Sequence, residues 1–322
     1  MPRWFPLLLP LAAACTPPTS TTDTGPAWDS LSVHDRCFAS LGSADLAWPD
    51  YDQFDPPIGR SCAGTNEQEI QGVQRLVFLG DSVTEGTPPT DPDHYYRADL
   101  ARGLEGEWGS LDVENCARWG AEDHDLLSGD EQLAECFPEP SDEKTLVVMT
   151  LGGNDLFSIA RHLVGGSIDA QGAVEEAHAA AAQLGDALTW FDDRTDLFPN
   201  GVYVVFANIY EYTDGTGDLG SCPSAGILGF DAQVPEMRAA LVAAEEDYMQ
   251  LAVEHHRDMI FMLEHFCGHG FRADDPNTQC YRGPGAQTWF DGTCLHPNET
   301  GHRTIANLFA GTILDQTSVD VP

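Results

Sequence analysis

Positive charge is what this sequence has least of. Lys144 is its only lysine, and 15 basic side chains stand against 52 Asp and Glu, a formal net charge of −37. Such a surface repels phosphate backbones and carries no basic stripe to offset the repulsion, which excludes nucleic acid as a partner. It repels anionic lipid headgroups as well, and reads as a solvated acidic exterior. Long apolar runs are also missing: the uncharged stretch Trp4 to Ala14 has eleven residues, too few to cross a bilayer. No CxxC pair occurs, against a zinc ribbon or thioredoxin-type site. No GxSxG occurs, against the nucleophile elbow of the α/β-hydrolases. Gly215-Thr216-Gly217-Asp218-Leu219-Gly220 matches GxGxxG, but no apolar helix follows it, so no dinucleotide is expected. His255, His256, His265 and His269 fit no zinc spacing, and the acidic loops at 214–218 and 274–275 lack a calcium ligand ladder. The sequence calls for neither metal nor cofactor.

The N-terminus reads as a targeting segment. Arg3 is followed by the apolar run and by Ala12-Ala13-Ala14-Cys15, the pattern of a signal peptide over residues 1–14 with Cys15 as a lipidated N-terminus. Residues 15–30, rich in Thr and Pro, read as a flexible tether. Residues 31–72 read as an irregular segment packed on the main domain, which spans 73–318. With Cys15 set aside, eight cysteines remain, an even number suited to four disulfides in an oxidising compartment. Of 105 possible connectivities, pairing near neighbours would join Cys37 with Cys62, Cys116 with Cys136 and Cys280 with Cys294. The chain is expected to be exported, to meet a membrane only through the anchor at Cys15, and to be a monomer.

From residue 73 a βα alternation sets in. Arg75–Leu79, 111–117, Thr145–Leu151, Gly201–Ala207 and Met259–Leu263 are five short apolar runs, and apolar character on both faces suits buried parallel strands. Helical periodicity runs over Ala173 to Phe191, from Pro235 to His256, and after Pro297. Strands alternating with helices predict a parallel sheet covered on both sides.

Such a sheet carries its chemistry in the loops at the carboxyl ends of its strands. Those ends read Gly80-Asp81-Ser82, Asn115 to Ala121, and Gly152-Gly153-Asn154-Asp155, with Asp291-Gly292-Thr293-Cys294-Leu295-His296-Pro297 before the last helix. Acyl transfer needs a nucleophile, a base and donors aimed at the developing oxyanion. Ser82 at a helix start supplies the first and its own N–H. Gly120 allows a close backbone donor, Asn154 offers a side-chain amide, and His296 supplies the base. Each block alone is ordinary turn or cap chemistry; their joint order at strand ends is not.

These four blocks resemble the signature blocks of the SGNH (GDSL-like) hydrolases over residues 73 to 315. The resemblance implies a flavodoxin-like three-layer α/β/α sandwich with a five-stranded parallel sheet. It implies Ser82 as nucleophile, His296 as base, and an oxyanion hole of Ser82, Gly120 and Asn154. The family normally places an Asp three residues before the His. Here that position is Thr293, and Asp291 lies five before. Asp291 is the expected orienting acid, with a backbone carbonyl near Thr293 as the alternative. The implied activity is hydrolysis of a lipid or small acyl ester. Acyl transfer or carbohydrate deacetylation on the same fold, or an inactive surface lipoprotein that only binds, are the competing readings.

Overall fold

The computed structural model describes residues 28–41, 48–128, 131–229, 231–317 and 321. The expected signal peptide, Cys15 and the tether up to residue 27 lie outside the described residues. Trp28–Ser30 forms one 3₁₀ turn. From Ser32 onward the chain is a single compact unit.

Its centre is a sheet of β1 (Arg75–Gly80), β2 (Asp112–Asn115), β3 (Thr145–Thr150), β4 (Val202–Ala207) and β5 (Asp258–Ile260). All neighbours are parallel, in the order β2-β1-β3-β4-β5. The principal helices are α1 (Ser82–Glu85), α2 (Tyr96–Trp108), α3 (Gly153–Val164), α4 (Ala170–Asp193), α5 (Met237–Glu254) and α6 (Glu299–Ile313). Strand side chains alternate between faces. Val77, Leu79, Val147, Met149, Val204 and Phe206 meet the Ala-rich stripe of α4 and the buried face of α5 in one core. Leu76, Phe78, Leu146, Val148 and Val205 meet α2 and α6 in the other. The three-layer α/β/α sandwich expected from the sequence is the fold.

β5 is shorter than its apolar run. The strand ends at Ile260, and Met262–Phe266 turns into a short helix. Leu263 N–H there donates to Asn208 Oδ1 at 2.9 Å. The outer edge of β5 is paired by the N-terminal segment, with Thr65 N–H on Met259 O and Phe261 N–H on Ala63 O, both at 2.9 Å. Asp258 clamps that segment by accepting from Thr65 Oγ1 at 2.9 Å and Glu67 N at 2.7 Å. Covering a sheet edge removes a template for strand pairing.

The disulfides are Cys37–Cys62, Cys116–Cys136, Cys222–Cys294 and Cys267–Cys280. The expected Cys280–Cys294 pair does not form. Cys280 turns back to Cys267 with Cα atoms 4.9 Å apart, while Cys294 faces Cys222 across a separation of 72 residues. Sequence proximity cannot see that second contact, because it is made by tertiary folding of two loops.

Gly80 fixes how β1 ends. Its φ is +118°, and a Cβ there would lie 2.1 Å from Thr150 O. Replacing Gly80 with Ala is expected to destabilise the fold by at least about 2 kcal/mol, from backbone strain and the clash with β3; denaturant melts of the two proteins measure it.

Few cations are available to neutralise buried acids. Burial raises Asp81 to about 7, and Asp155 and Asp258 to about 6, from an ordinary 3.8. A folded state that binds these protons more tightly than the unfolded chain gains stability as pH falls from about 7 toward 4. The melting temperature is therefore expected to be higher at pH 5.5 than at pH 8. A melt series across that range tests it, and a melting temperature that falls on this mild acidification contradicts it.

Candidate active site

In this strand order the chain reverses direction across the sheet between β1 and β3, and the crevice beyond their carboxyl ends is where α/β sheets bind ligands. Ser82 stands there as the first residue of α1. Asp81 is its N-cap, and its Oδ1 accepts from Val83 N at 2.9 Å and from Thr150 Oγ1 at 3.0 Å. Thr150 Oγ1 lies 2.8 Å from Thr84 Oγ1, which lies 2.6 Å from Tyr96 Oη. This buried chain ties the Ser82 turn to β3 and α2. The Asp81 carboxylate takes the Val83 N–H, while the N–H of Ser82 has no acceptor among the described residues. It is the kind of free helix-terminal donor that favours an anion.

The loop after β2 is bound to the end of β1, with Arg118 N–H on Gly80 O at 2.9 Å. Trp119 Nε1 donates to Gly86 O at 3.0 Å, although the residue is 64% exposed. Gly120, an exposed residue, follows with φ +82°, and its N–H has no acceptor among the described residues. Asn154, in the first turn of α3, donates from Nδ2 to Ala121 O at 2.8 Å, so one amide hydrogen is engaged in holding the Gly120 loop and the other is available. Asp155 Oδ2 accepts from Asp123 N at 3.1 Å, and Tyr248 Oη donates to Asp123 Oδ2 at 2.8 Å. Burial and mutual repulsion raise the Asp123 carboxyl well above its usual range.

His296 closes the crevice from the loop before α6. Its Nε2 lies 2.9 Å from Ser82 Oγ. Its Nδ1 lies 2.8 Å from Thr293 Oγ1. Thr293 Oγ1 in turn donates to Asp291 Oδ1 at 2.5 Å, and Thr293 N–H reaches the same oxygen at 2.7 Å. Asp291, expected as the direct partner of His296, is thus separated from it by one hydroxyl. The carbonyl alternative is not what meets Nδ1 either. Burial lowers the His296 pKa, and the charge of Asp291 works against that shift. The loop is closed by Asp291 N–H on His296 O at 2.9 Å, by the Cys222–Cys294 bridge, and by Asn298, whose Oδ1 caps α6 through Gly301 N at 3.1 Å.

A cavity opens beside Ser82 and His296. Leu156, Phe157, Met237, Leu241, Val242 and Leu263 give it apolar walls. Arg238, also in the wall, donates to Gln279 Oε1. The histidines singled out by sequence are dispersed: His255 pairs with Asp192 at 2.6 Å, His265 lies on Cys62 O at 3.1 Å, and His269 on Gln287 O at 2.8 Å. The glycine-rich loop at 215–220 lines the cavity through Gly215, Gly217 and Leu219. Asp214 accepts N–H bonds from Gly268, Gly270 and Arg272, and Asp218 pairs with Arg272. Among the described residues the one acid–thiol group at metal-binding spacing is Glu114, Cys116 and Cys136, and both of its cysteines are spent in a disulfide.

Two features of the site escaped sequence reasoning. The Thr293 hydroxyl was noted only as the absence of an Asp, and the Asp123–Tyr248 contact joins residues 125 positions apart. The Asp-x-Thr-x-x-His order was the available signal for the first.

No curated protein sequence matches the chain. Among solved structures it is similar to an extracellular lipase from Streptomyces rimosus, at 20% identity over 74% of this chain and 100% of the other, with a TM-score of 0.48. A phospholipase A1 from Streptomyces albidoflavus matches at 16% identity over 74% and 99%, TM-score 0.47. A gut microbial diltiazem-metabolizing enzyme matches at 14% identity over 77% and 49%, TM-score 0.50. The sequence model of the GDSL-like lipase/acylhydrolase family matches residues 78–304. The chain belongs to the GDSL-like lipase/acylhydrolase family.

Proposed function

We propose that this protein hydrolyses carboxylic esters of apolar acyl groups through an acyl-Ser82 intermediate. The observation that carries the reading is the 2.9 Å contact between His296 Nε2 and Ser82 Oγ at the mouth of an apolar cavity. His296 takes the Ser82 proton as Oγ attacks the ester carbonyl, and the carbonyl electron pair moves onto oxygen. That oxyanion meets the free N–H of Ser82, the N–H of Gly120 and the side-chain amide of Asn154. Collapse expels the alcohol, which takes its proton from Nε2, and a water activated by the same nitrogen frees the acid. The cavity's aliphatic and aromatic walls receive the acyl chain, by the same burial that drives any apolar side chain inward. Four disulfides fit an oxidising compartment, in keeping with export, and the Ala12-Ala13-Ala14-Cys15 pattern supports a lipid anchor at Cys15.

Hydrolysis of p-nitrophenyl esters over a series of acyl lengths tests the reading. Ser82→Ala is expected to abolish turnover with the melting temperature retained. Asn154→Ala is expected to lower kcat by roughly 10²–10³ if its amide meets the oxyanion. A folded wild-type protein inert on every ester would contradict the proposal.

The pH dependence follows from burial of the base. His296 works as the neutral imidazole, so activity is lost as pH falls through its pKa. Because burial lowers that pKa, the acid limb of kcat/KM is expected below the ordinary imidazole value of about 6.5. A limb above that value would show that the opposing charge of Asp291 outweighs burial.

A further inference from the structure

We infer that Thr293 is the residue that orients His296, its side-chain hydroxyl standing where a triad carboxylate would stand and coupling the imidazole to Asp291 behind it. The inference rests on the reading of His296 as the base of Ser82.

The donors and acceptors leave one consistent arrangement. Asp291 is acceptor-only as a carboxylate, so the Thr293 hydroxyl gives its proton to Asp291 Oδ1. The lone pairs of Thr293 Oγ1 are then free to accept, and the atom facing them at 2.8 Å is His296 Nδ1. That nitrogen must carry the hydrogen. Nε2 is therefore the unprotonated one, and it faces the Ser82 hydroxyl at 2.9 Å. Every proton in the row Ser82, His296, Thr293, Asp291 points the same way. During attack only one of them moves, from Ser82 Oγ to Nε2; the Nδ1 and Thr293 protons stay where they are. When the imidazolium forms, its positive charge is met by the oxygen end of the Thr293 O–H dipole, polarised by the anion beyond it, and hydrogen bonds in such a row strengthen one another.

The loop is built to hold that hydroxyl. Thr293 is exposed, and an exposed hydroxyl is ordinarily free to rotate. Here Asp291 Oδ1 takes both the backbone N–H and the hydroxyl of Thr293, an Asx-type turn. β-Branching restricts the remaining torsion. Cys294, the next residue, has φ +78° and is bridged to Cys222. Asp291 Oδ2 is buried without a partner, so among the described residues the hydrogen bonds this carboxylate accepts come from Thr293. His302, which the charge of His296 also reaches, is buried, and burial lowers its pKa to about 3.

Three variants test this: Thr293→Val, isosteric but without the hydroxyl; Thr293→Ser, which restores it; and Asp291→Asn, which keeps the turn's acceptor but removes the charge. Kinetics on a p-nitrophenyl ester and NMR titration of the His296 ring are read together. Thr293→Val is expected to lower kcat by about 10²-fold or more at little change in KM. It should also move the His296 titration and the acid limb to lower pH, because the protonated ring loses its acceptor. Thr293→Ser should restore both, and Asp291→Asn should shift the titration in the same direction as Val. An unshifted titration and near-wild-type kcat in Thr293→Val would overturn the inference. Wild-type inertness toward esters would instead overturn the hydrolase reading, and the ring titration would still decide whether Thr293 holds Nδ1.

Discussion

The structure depends on how closely β1 and β3 approach at their carboxyl ends. Gly80 lies against the Thr150 backbone with no room for a side chain, and Asp81 N–H then bonds Thr150 O at 3.0 Å. Gln132 grips the same glycine from the other side, accepting from its N–H at 2.8 Å and donating to its C=O at 3.0 Å. With the strand end pinned on both flanks, Asp81 has one place to cap α1, and Ser82 projects into the crevice. Position of Ser82 is thus a property of the sheet, transmitted through three consecutive backbone units. His296 has no such support, and its loop is instead held by a disulfide, a capped helix and its own internal bonds.

A second constraint runs through the molecule. With so few cations in the chain, salt bridges reach only some of the buried acids, such as Asp99 with Arg102 and Asp218 with Arg272, and others are satisfied by N–H and O–H donors. Asp258 is held by a threonine hydroxyl and backbone amides, Asp214 by three backbone amides, and Asp123 by a tyrosine. Burying a carboxylate is tolerable on these terms, because hydrogen bonds to the charged form offset part of its desolvation. Asp291 with Thr293 repeats the device beside His296. A hydroxyl backed by an anion at this position is thus continuous with the way Asp258, Asp214 and Asp123 are held.

The parallel sheet was legible because its strands are buried on both faces and read as uninterrupted apolar runs; Arg75–Leu79 and Thr145–Leu151 are examples. The helix over 173–191 was legible from its alanine stripe, and α6 from the helical periodicity that follows Pro297. Ser82 and His296 could be expected at one crevice because strand-end loops carry the chemistry of such sheets, and they meet there at 2.9 Å. What stayed hidden depends on side-chain direction or on distant contacts. Met259–Leu263 looked like one strand because apolar residues also suit the turn into the helix that follows. Cys294 could not be matched to Cys222, and Thr293 looked like a missing acid, since a sequence does not say where a hydroxyl points.

The central claim is that Ser82 is a nucleophile activated by His296. The most direct measurement is covalent capture with a fluorophosphonate, located by mass spectrometry of the peptides. The account predicts a single stoichiometric adduct on Ser82, lost in His296→Ala while the protein remains folded. No adduct, or one at another residue that persists in His296→Ala, would contradict it.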